Sequence, residues 1–390
     1  MKKTKLFSVL ILLSMSCYMV RAADAPQNLA IRAGRIWTVT DGVIKDGVII
    51  IKNGKIQAVR KKPDVPEGMK LLDFSDRDVM PGLIDAHCHI GLSLDIYSEI
   101  DETVLAVTPD MQIIDAFNPL ADDVKKALSS GVTTVLLAPG NKNPVAGQTA
   151  VVKLYGKTTR DRVLKRSGGV KFSLRDDALM SDRRPTSRAG LLALIREELN
   201  NAKTHKDDKP DLRIEVLKSV VDANFPAYIS AYTVDEIASA LTVIDEYGLN
   251  AVLIGAEEGD EIAQLIAKQN IPVILSPVLL FSRDKDLKRV VKMADSGIKI
   301  AFSSTSPRTP LSDLRTSAIT AVKYGLDKEA ALKSLTINAA EILGVAKRVG
   351  SIQRGKDADL VIISGDPLQP TSTVEMVIIN GNIVYQRQKI

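Results

Sequence analysis

The feature that most constrains the fold of this chain is a run of short, β-branched apolar segments separated by amphipathic stretches. AYISAYT (227–233), AVLIGAE (251–257), PVILSPV (272–278) and KIAFSST (299–305) begin 24, 21 and 27 residues apart. VDEIASALTVIDEYG (234–248) and EGDEIAQLIAKQN (258–270) lie between the first three and have the apolar spacing of helices. Strand, helix and strand at this interval imply parallel pairing, since a parallel neighbour is reached only through a crossover of about a dozen residues or more. GLIDAHCH (82–89), GVTTVLLAPG (131–140), AVVKLYG (150–156) and GVKFSLRDD (169–177) bring the candidate strands to eight. Eight is the number that closes an α/β barrel of the (β/α)8, or TIM, type. A doubly wound open sheet is the alternative; no G-x-G-x-x-G opens a helix here, which counts against it.

The flanking segments follow another rhythm. Residues 28–60 alternate apolar and polar around an Asn53-Gly54 turn, and DADLVII (357–363) and VEMVIINGNIVYQ (374–386) repeat the style around Asn380-Gly381. The expected organisation is therefore a composite β-sandwich from residues 23–80 and 348–390, enclosing a barrel of residues 81–347.

The first 22 residues read as a signal peptide. MKKTK is basic, residues 6–20 are apolar, and Val20-Arg21-Ala22 places small residues at the −3 and −1 positions. The apolar stretch is short for a bilayer span, so the expectation is export to the periplasm or cell exterior with no membrane span after cleavage. The Ser14-Met15-Ser16 run before Cys17 lacks the leucine-then-small pattern that precedes lipidation. Lys2, Lys3, Lys5 and Arg21 account for four of the five net positive charges. The remainder is close to neutral and holds no Lys/Arg block that could track phosphates, which excludes a nucleic-acid partner. After cleavage Cys88 is the lone cysteine, so no intramolecular disulfide can form.

Chemistry concentrates in PGLIDAHCHI (81–90). On a strand, His87 and His89 project to one side and Cys88 to the other. At the C-terminal end of a barrel strand the two imidazoles would face the catalytic mouth, spaced to grip one metal ion. H-x-H alone is a weak signal; the run that precedes it strengthens the case.

PGLIDAHCH after a β-rich opening resembles the amidohydrolase superfamily of metal-dependent hydrolases, nearest to its imidazolonepropionase-like and prolidase-like branch. The resemblance extends through LAIRAGRIWTVTDGVIKDGVIIIKNGKIQAV, the Gly147-Gln148 pair of NPVAGQTAVVKLYGK (143–157), and the closing segment 331–368. It implies a TIM barrel with a composite β-sandwich and an ancestral metal-assisted hydrolysis of non-peptide C–N bonds. It also implies two further histidines on barrel strands five and six, an aspartate on strand eight, and in many members a bridging lysine or glutamate from strand four.

The residues at those positions differ. Strand five reads Ser230-Ala231-Tyr232 where the family has His-Ala-His, and strand six reads Ile254-Gly255-Ala256 where it has Glu-His-Ala. Strand eight reads Ser304-Thr305-Ser306-Pro307, with Thr305 at the position of the family aspartate, and strand four ends Leu174-Arg175-Asp176-Asp177. His205, the third histidine, lies in a charged segment and reads as a solvated surface residue. A catalytic metal needs about three protein ligands and an open position, and a threonine does not carry a proton away at neutral pH.

The expectation is an exported, catalytically impaired or non-catalytic member, a pseudoenzyme, holding no metal or one weakly bound divalent ion, zinc by preference. Its mouth would take a small-molecule ligand or a partner, an active paralogue or a second copy. The alternative is an active hydrolase with a rebuilt mononuclear site on His87, His89 and Asp176, helped by Glu257, Glu258 or Tyr232. A metal-free nucleophilic enzyme using Ser303, Ser304 or Ser306 lacks a downstream histidine to activate it.

Overall fold

Period-two patterning at the two ends of the chain produces one seven-stranded sheet, ordered β15-β14-β13-β4-β1-β2-β3. The computed structural model describes residues 28–61, 65–94, 98–206, 210–279 and 282–388; the signal segment and Cys17 lie outside the described residues. The N-terminal strands are β1 (Leu29–Trp37), β2 (Val43–Lys52), β3 (Lys55–Lys61) and β4 (Lys70–Pro81). The C-terminal strands are β13 (Leu360–Ile363), β14 (Val374–Ile379) and β15 (Asn382–Gln386), joined to the N-terminal set by antiparallel pairing of β13 with β4. The two Asn-Gly turns form as expected: Asn53 and Gly54, and Asn380 and Gly381, all take positive φ, which these residue types tolerate. Ile31, Ile49, Ile51, Leu360 and Ile378 form the apolar layer of this sheet.

The middle of the chain builds an eight-stranded barrel sheet. Its strands are β5 (Leu83–Cys88), β6 (Val132–Leu137), β7 (Val145–Lys153), β8 (Val163–Ser173), β9 (Ala227–Ala231), β10 (Ala251–Gly255), β11 (Val273–Leu275) and β12 (Ile300–Phe302), neighbours in that order. All eight sequence segments supply a strand. One departure is that β7 runs antiparallel to both β6 and β8. Only residues 138–144 separate β6 from β7, too few for a crossover helix, so the chain turns back as a hairpin. From β8 to β12 every pairing is parallel, with helices such as Val234–Tyr247 packing Ile237, Ala240, Leu241 and Ile244 against the outside.

Alternation along each strand separates outside from inside. Val170, Phe172, Ile229 and Leu253 join the core under the helices, while Leu136, Tyr228, Val252, Ile274 and Ala301 form the interior cluster. The two ends of the sheet meet at the mouth. His89 N–H donates to the Ser306 carbonyl at 2.7 Å and Thr305 N–H to that of His87 at 3.3 Å, tying β5 to the segment after β12. Among the described residues no helix is long and apolar enough to cross a membrane.

Candidate active site

The end of β5 supplies both histidines to the mouth. His87 is 5% and His89 6% exposed, with ring centroids 5.1 Å apart in an edge-on arrangement. Cys88 turns outward into the helix-facing core, where burial raises its thiol pKa well above the ordinary value. A carbonyl only accepts, so His89 Nδ1, 2.8 Å from the Ala138 oxygen, carries the proton and leaves Nε2 with its lone pair. His87 differs: both its ring nitrogens are buried without a protein partner. Asp85, fully buried, accepts from the Ser304 and His87 amides at 3.0 and 3.2 Å and from the Ser304 hydroxyl. Burial lifts its carboxyl to about 6, with those hydrogen bonds pulling the other way.

The structure adds a residue to this group that the sequence reading missed. Lys171 on β8 lies between the outward-facing Val170 and Phe172 and so points into the barrel, completely buried. Its ammonium donates to Asn141 Oδ1 at 2.9 Å and to the Pro139 carbonyl at 3.3 Å. Burial depresses its pKa to about 8, with Asp101 opposing. Burial and then the Lys171 charge push His89 down to about 4 and hold His87 well below the ordinary imidazole value. At neutral pH the group is two uncharged imidazoles beside an ammonium. The signal was available in GVKFS, where period two directs the lysine away from its apolar neighbours.

The substituted positions fill one another's space. Gly255 has φ +92°, and a Cβ built on it would stand 2.1 Å from Cε1 of Tyr232, so the tyrosine ring occupies the volume that a side chain at 255 would need. Arg175 lies 4.0 Å above the same ring and its Nη1 reaches the Glu236 carboxylate at 3.3 and 3.4 Å. Glu236 also accepts the Tyr232 amide at 2.7 Å. Ser230 is fully buried with its Oγ unpartnered, and Thr305 sits at the rim with φ +54°. His205 caps the C-terminal end of the helix Arg188–Thr204.

The structure does not bring Asp176 together with His87 and His89. Asp176 begins a short helical turn beyond β8, its side chain is 65% exposed, and it is held 3.0 Å from Arg188 Nε, whose hydrogen bond keeps its carboxyl below the usual value. An exposed aspartate satisfied by arginine has no reason to turn inward. Nor does Glu258 assist: its carboxylate accepts the Val234 amide at 3.0 Å.

These donors do not fit a hydrolytic metal as they stand. His89 has the tautomer of a ligand, with its other nitrogen on a backbone carbonyl. However, among the described residues no three His, Cys, Asp or Glu side chains group as a metal site. Lys171, on the fourth barrel strand, stands where the resemblance implies a bridging lysine, and the Ser230 hydroxyl is also buried in the barrel. An ammonium repels a divalent ion, so Lys171 serves a metal only with its nitrogen uncharged or covalently modified.

The sequence profile of the amidohydrolase family matches residues 231–384. A crystal structure of an amidohydrolase from Thermotoga maritima MSB8 superposes with a TM-score of 0.86 at 31% identity, covering 92% of this chain and 100% of that one. An imidazolonepropionase of Thermoplasma volcanium is 24% identical over 89% of this chain and 92% of that protein. An adenosine deaminase from Xanthomonas campestris with bound zinc shares the fold at a TM-score of 0.55 and 20% identity, covering 92% of this chain and 93% of that one.

Proposed function

Given that this chain belongs to the amidohydrolase family, hydrolases of C–N bonds, we propose that it is an exported member whose barrel mouth has lost metal-assisted hydrolysis and serves as a binding site. The observation that carries this reading is that, among the described residues, His87 and His89 gather no third His, Cys, Asp or Glu side chain as a metal ligand, while Ser230, Tyr232, Gly255 and Thr305 stand at the other ligand positions of the family. Activating water demands a cation with an open position and a base to take the proton. Here the strand-five and strand-six ligand positions hold Ser230, Tyr232 and Gly255, and Thr305 stands at the position of the base.

The packing of Tyr232 against Gly255 supports the same reading. Two positions that the family fills with ligands are coupled in a tyrosine-for-side-chain exchange, so restoring one alone meets a steric barrier. Arg175 above the ring adds a second positive group at the rim.

The test is metal analysis by mass spectrometry of the purified mature protein, alongside turnover of a panel of cyclic and linear amides. The expected result is far less than one zinc per chain and no turnover that a chelator abolishes. Stoichiometric zinc with chelator-sensitive hydrolysis would overturn the reading. Export is checked separately by N-terminal sequencing of protein recovered from the envelope fraction, with Ala23 expected as the first residue.

A further inference from the structure

We propose that a groove on the outside of the barrel, between the helix Asp313–Lys323 and the loop that follows β13, binds a medium-chain aliphatic carboxylate, its chain against Ile319, Val322 and Leu368 and its carboxylate at Lys323. None of the mouth residues takes part, and the groove holds this ligand whether or not the mouth hydrolyses anything.

This helix has more apolar surface than the barrel covers. Leu314, Ala318 and Ala321 are buried in the core, whereas Ile319 and Val322 sit on a flank that is only partly covered. Leu368 and Pro370 of the loop line the same cavity as that flank, a space of about 440 Å³. That is the size that holds a small organic ligand. Arg315 fixes the loop against the helix: its guanidinium donates to the carbonyls of Pro367 at 3.0 Å, Gln369 at 3.3 Å and Ser372 at 2.7 Å. The walls of the groove are therefore held in place by the fold itself.

Charge selects the occupant. The residues lining the cavity include two cations, Arg315 and Lys323, and no carboxylate. Arg315 is spent on the three carbonyls, while Lys323, exposed at the end of the helix, has no carboxylate partner among the described residues. Asp366, the nearest acid along the loop, is engaged by the Leu368 amide at 2.9 Å and by Lys328 at 3.6 Å. A hydroxyl points to the same ligand. Thr316 returns its Oγ1 to the Ser312 carbonyl at 3.2 Å, as helical threonines commonly do, but Thr320, one turn on and 1% exposed, has no partner for its Oγ1. Thr316, Thr320 and Lys323 follow one helical face, so the Thr320 hydroxyl can donate to an oxygen of the anion that Lys323 attracts. An uncharged hydrocarbon would cover the apolar walls and leave both polar groups unused, and an ammonium would be repelled.

The experiment titrates the full mature chain with octanoate and follows the methyl resonances of Ile319, Val322 and Leu368 by NMR. Octylamine carries the same tail with the opposite charge, and acetate carries the head without the tail. Octanoate is expected to shift these methyls saturably, octylamine to bind roughly tenfold more weakly or not at all, and acetate not to saturate. Lys323→Gln should weaken octanoate binding several-fold, and Ile319→Trp, which fills the cavity, should abolish it. Absence of a saturable shift with octanoate would overturn the proposal, as would equal affinity for octylamine or unchanged affinity in Lys323→Gln. Methyl shifts that follow protein concentration and ignore octanoate would assign the groove to contact between copies of the chain, which overturns it as well. Should Ile319→Trp not fold, the ligand series and Lys323→Gln decide.

Discussion

A buried ammonium beside two imidazoles disfavours the protonation of both, because a second positive charge in a poorly solvated interior is unscreened. Lys171→Met should therefore raise the titration midpoint of His89 from about 4 part of the way towards the ordinary value, burial keeping the remainder. An NMR pH titration of the imidazole protons checks this, and an unmoved midpoint would show that Lys171 does not reach the histidines. The same shifts predict acid sensitivity. A histidine with a depressed folded pKa contributes stability above its unfolded pKa, near 6.5, which is lost as pH falls towards the folded value. For His89 the loss is on the order of 3 kcal/mol by pH 4. Asp85 runs the other way with comparable size, since its raised carboxyl destabilises the fold above pH 6 and is relieved below it. Asp85 therefore opposes His89 over this range, and His87, held low by burial, adds to the loss. Urea midpoints should fall more steeply between pH 6.5 and 4.5 in the wild type than in His87→Phe. At this scale H-x-H and the substituted positions were readable from the residues themselves. Lys171 is equally readable, since strand alternation in GVKFS sets it on the face opposite Val170 and Phe172.

Among the elements, the coupling of β9 to β10 is the feature that no local pattern reveals. Tyr232 and Gly255 are unremarkable one at a time; only parallel pairing of β9 with β10, Ser230 opposite Ile254 and Ala231 opposite Gly255, places the ring over the missing Cβ. Gly255→His should destabilise the protein by more than about 3 kcal/mol, from the clash together with a φ that side chains rarely adopt. Tyr232→Ala should recover part of that loss, giving a coupling energy of about 1–3 kcal/mol in a double-mutant cycle. Additive effects in urea denaturation would mean the ring does not fill that volume. The eight barrel strands themselves were legible, since β-branched runs at crossover intervals leave few other folds. The reversed direction of β7 was not drawn from the same segments. It depends on the length of the connection from β6 rather than on the composition of either strand.

At the scale of the whole molecule, the barrel and the terminal sheet are joined by a buried ionic group rather than by apolar contact alone. Lys153, at the end of β7 and 1% exposed, donates to Asp357 at 2.8 Å, to Asp359 at 3.0 Å and to Asn380 at 2.5 Å. Both aspartates lie in the three residues before β13, and Asn380 is in the turn from β14 to β15, so one barrel side chain gathers three points of the C-terminal sheet. Lys55 and Arg348 complete the group on Asp357 at 3.0 and 2.6 Å. Burial alone would raise the Asp357 carboxyl; the charge and hydrogen bond of Lys153, with help from Lys55 and Arg348, outweigh it and hold the pKa below the usual value. Such an arrangement is weak evidence of net stabilisation, because desolvating several charges offsets their attraction, but removing one member leaves the others buried and uncompensated. Lys153→Met should therefore destabilise the chain by about 3–5 kcal/mol. Asp359 then loses its only cationic partner among the described residues, so adding Asp359→Asn should restore part of the loss, whereas Asp357 keeps Lys55 and Arg348. Chemical denaturation of the two variants at pH 7 measures both changes. A Lys153→Met protein as stable as the wild type would show that the two sheets are held together without this group.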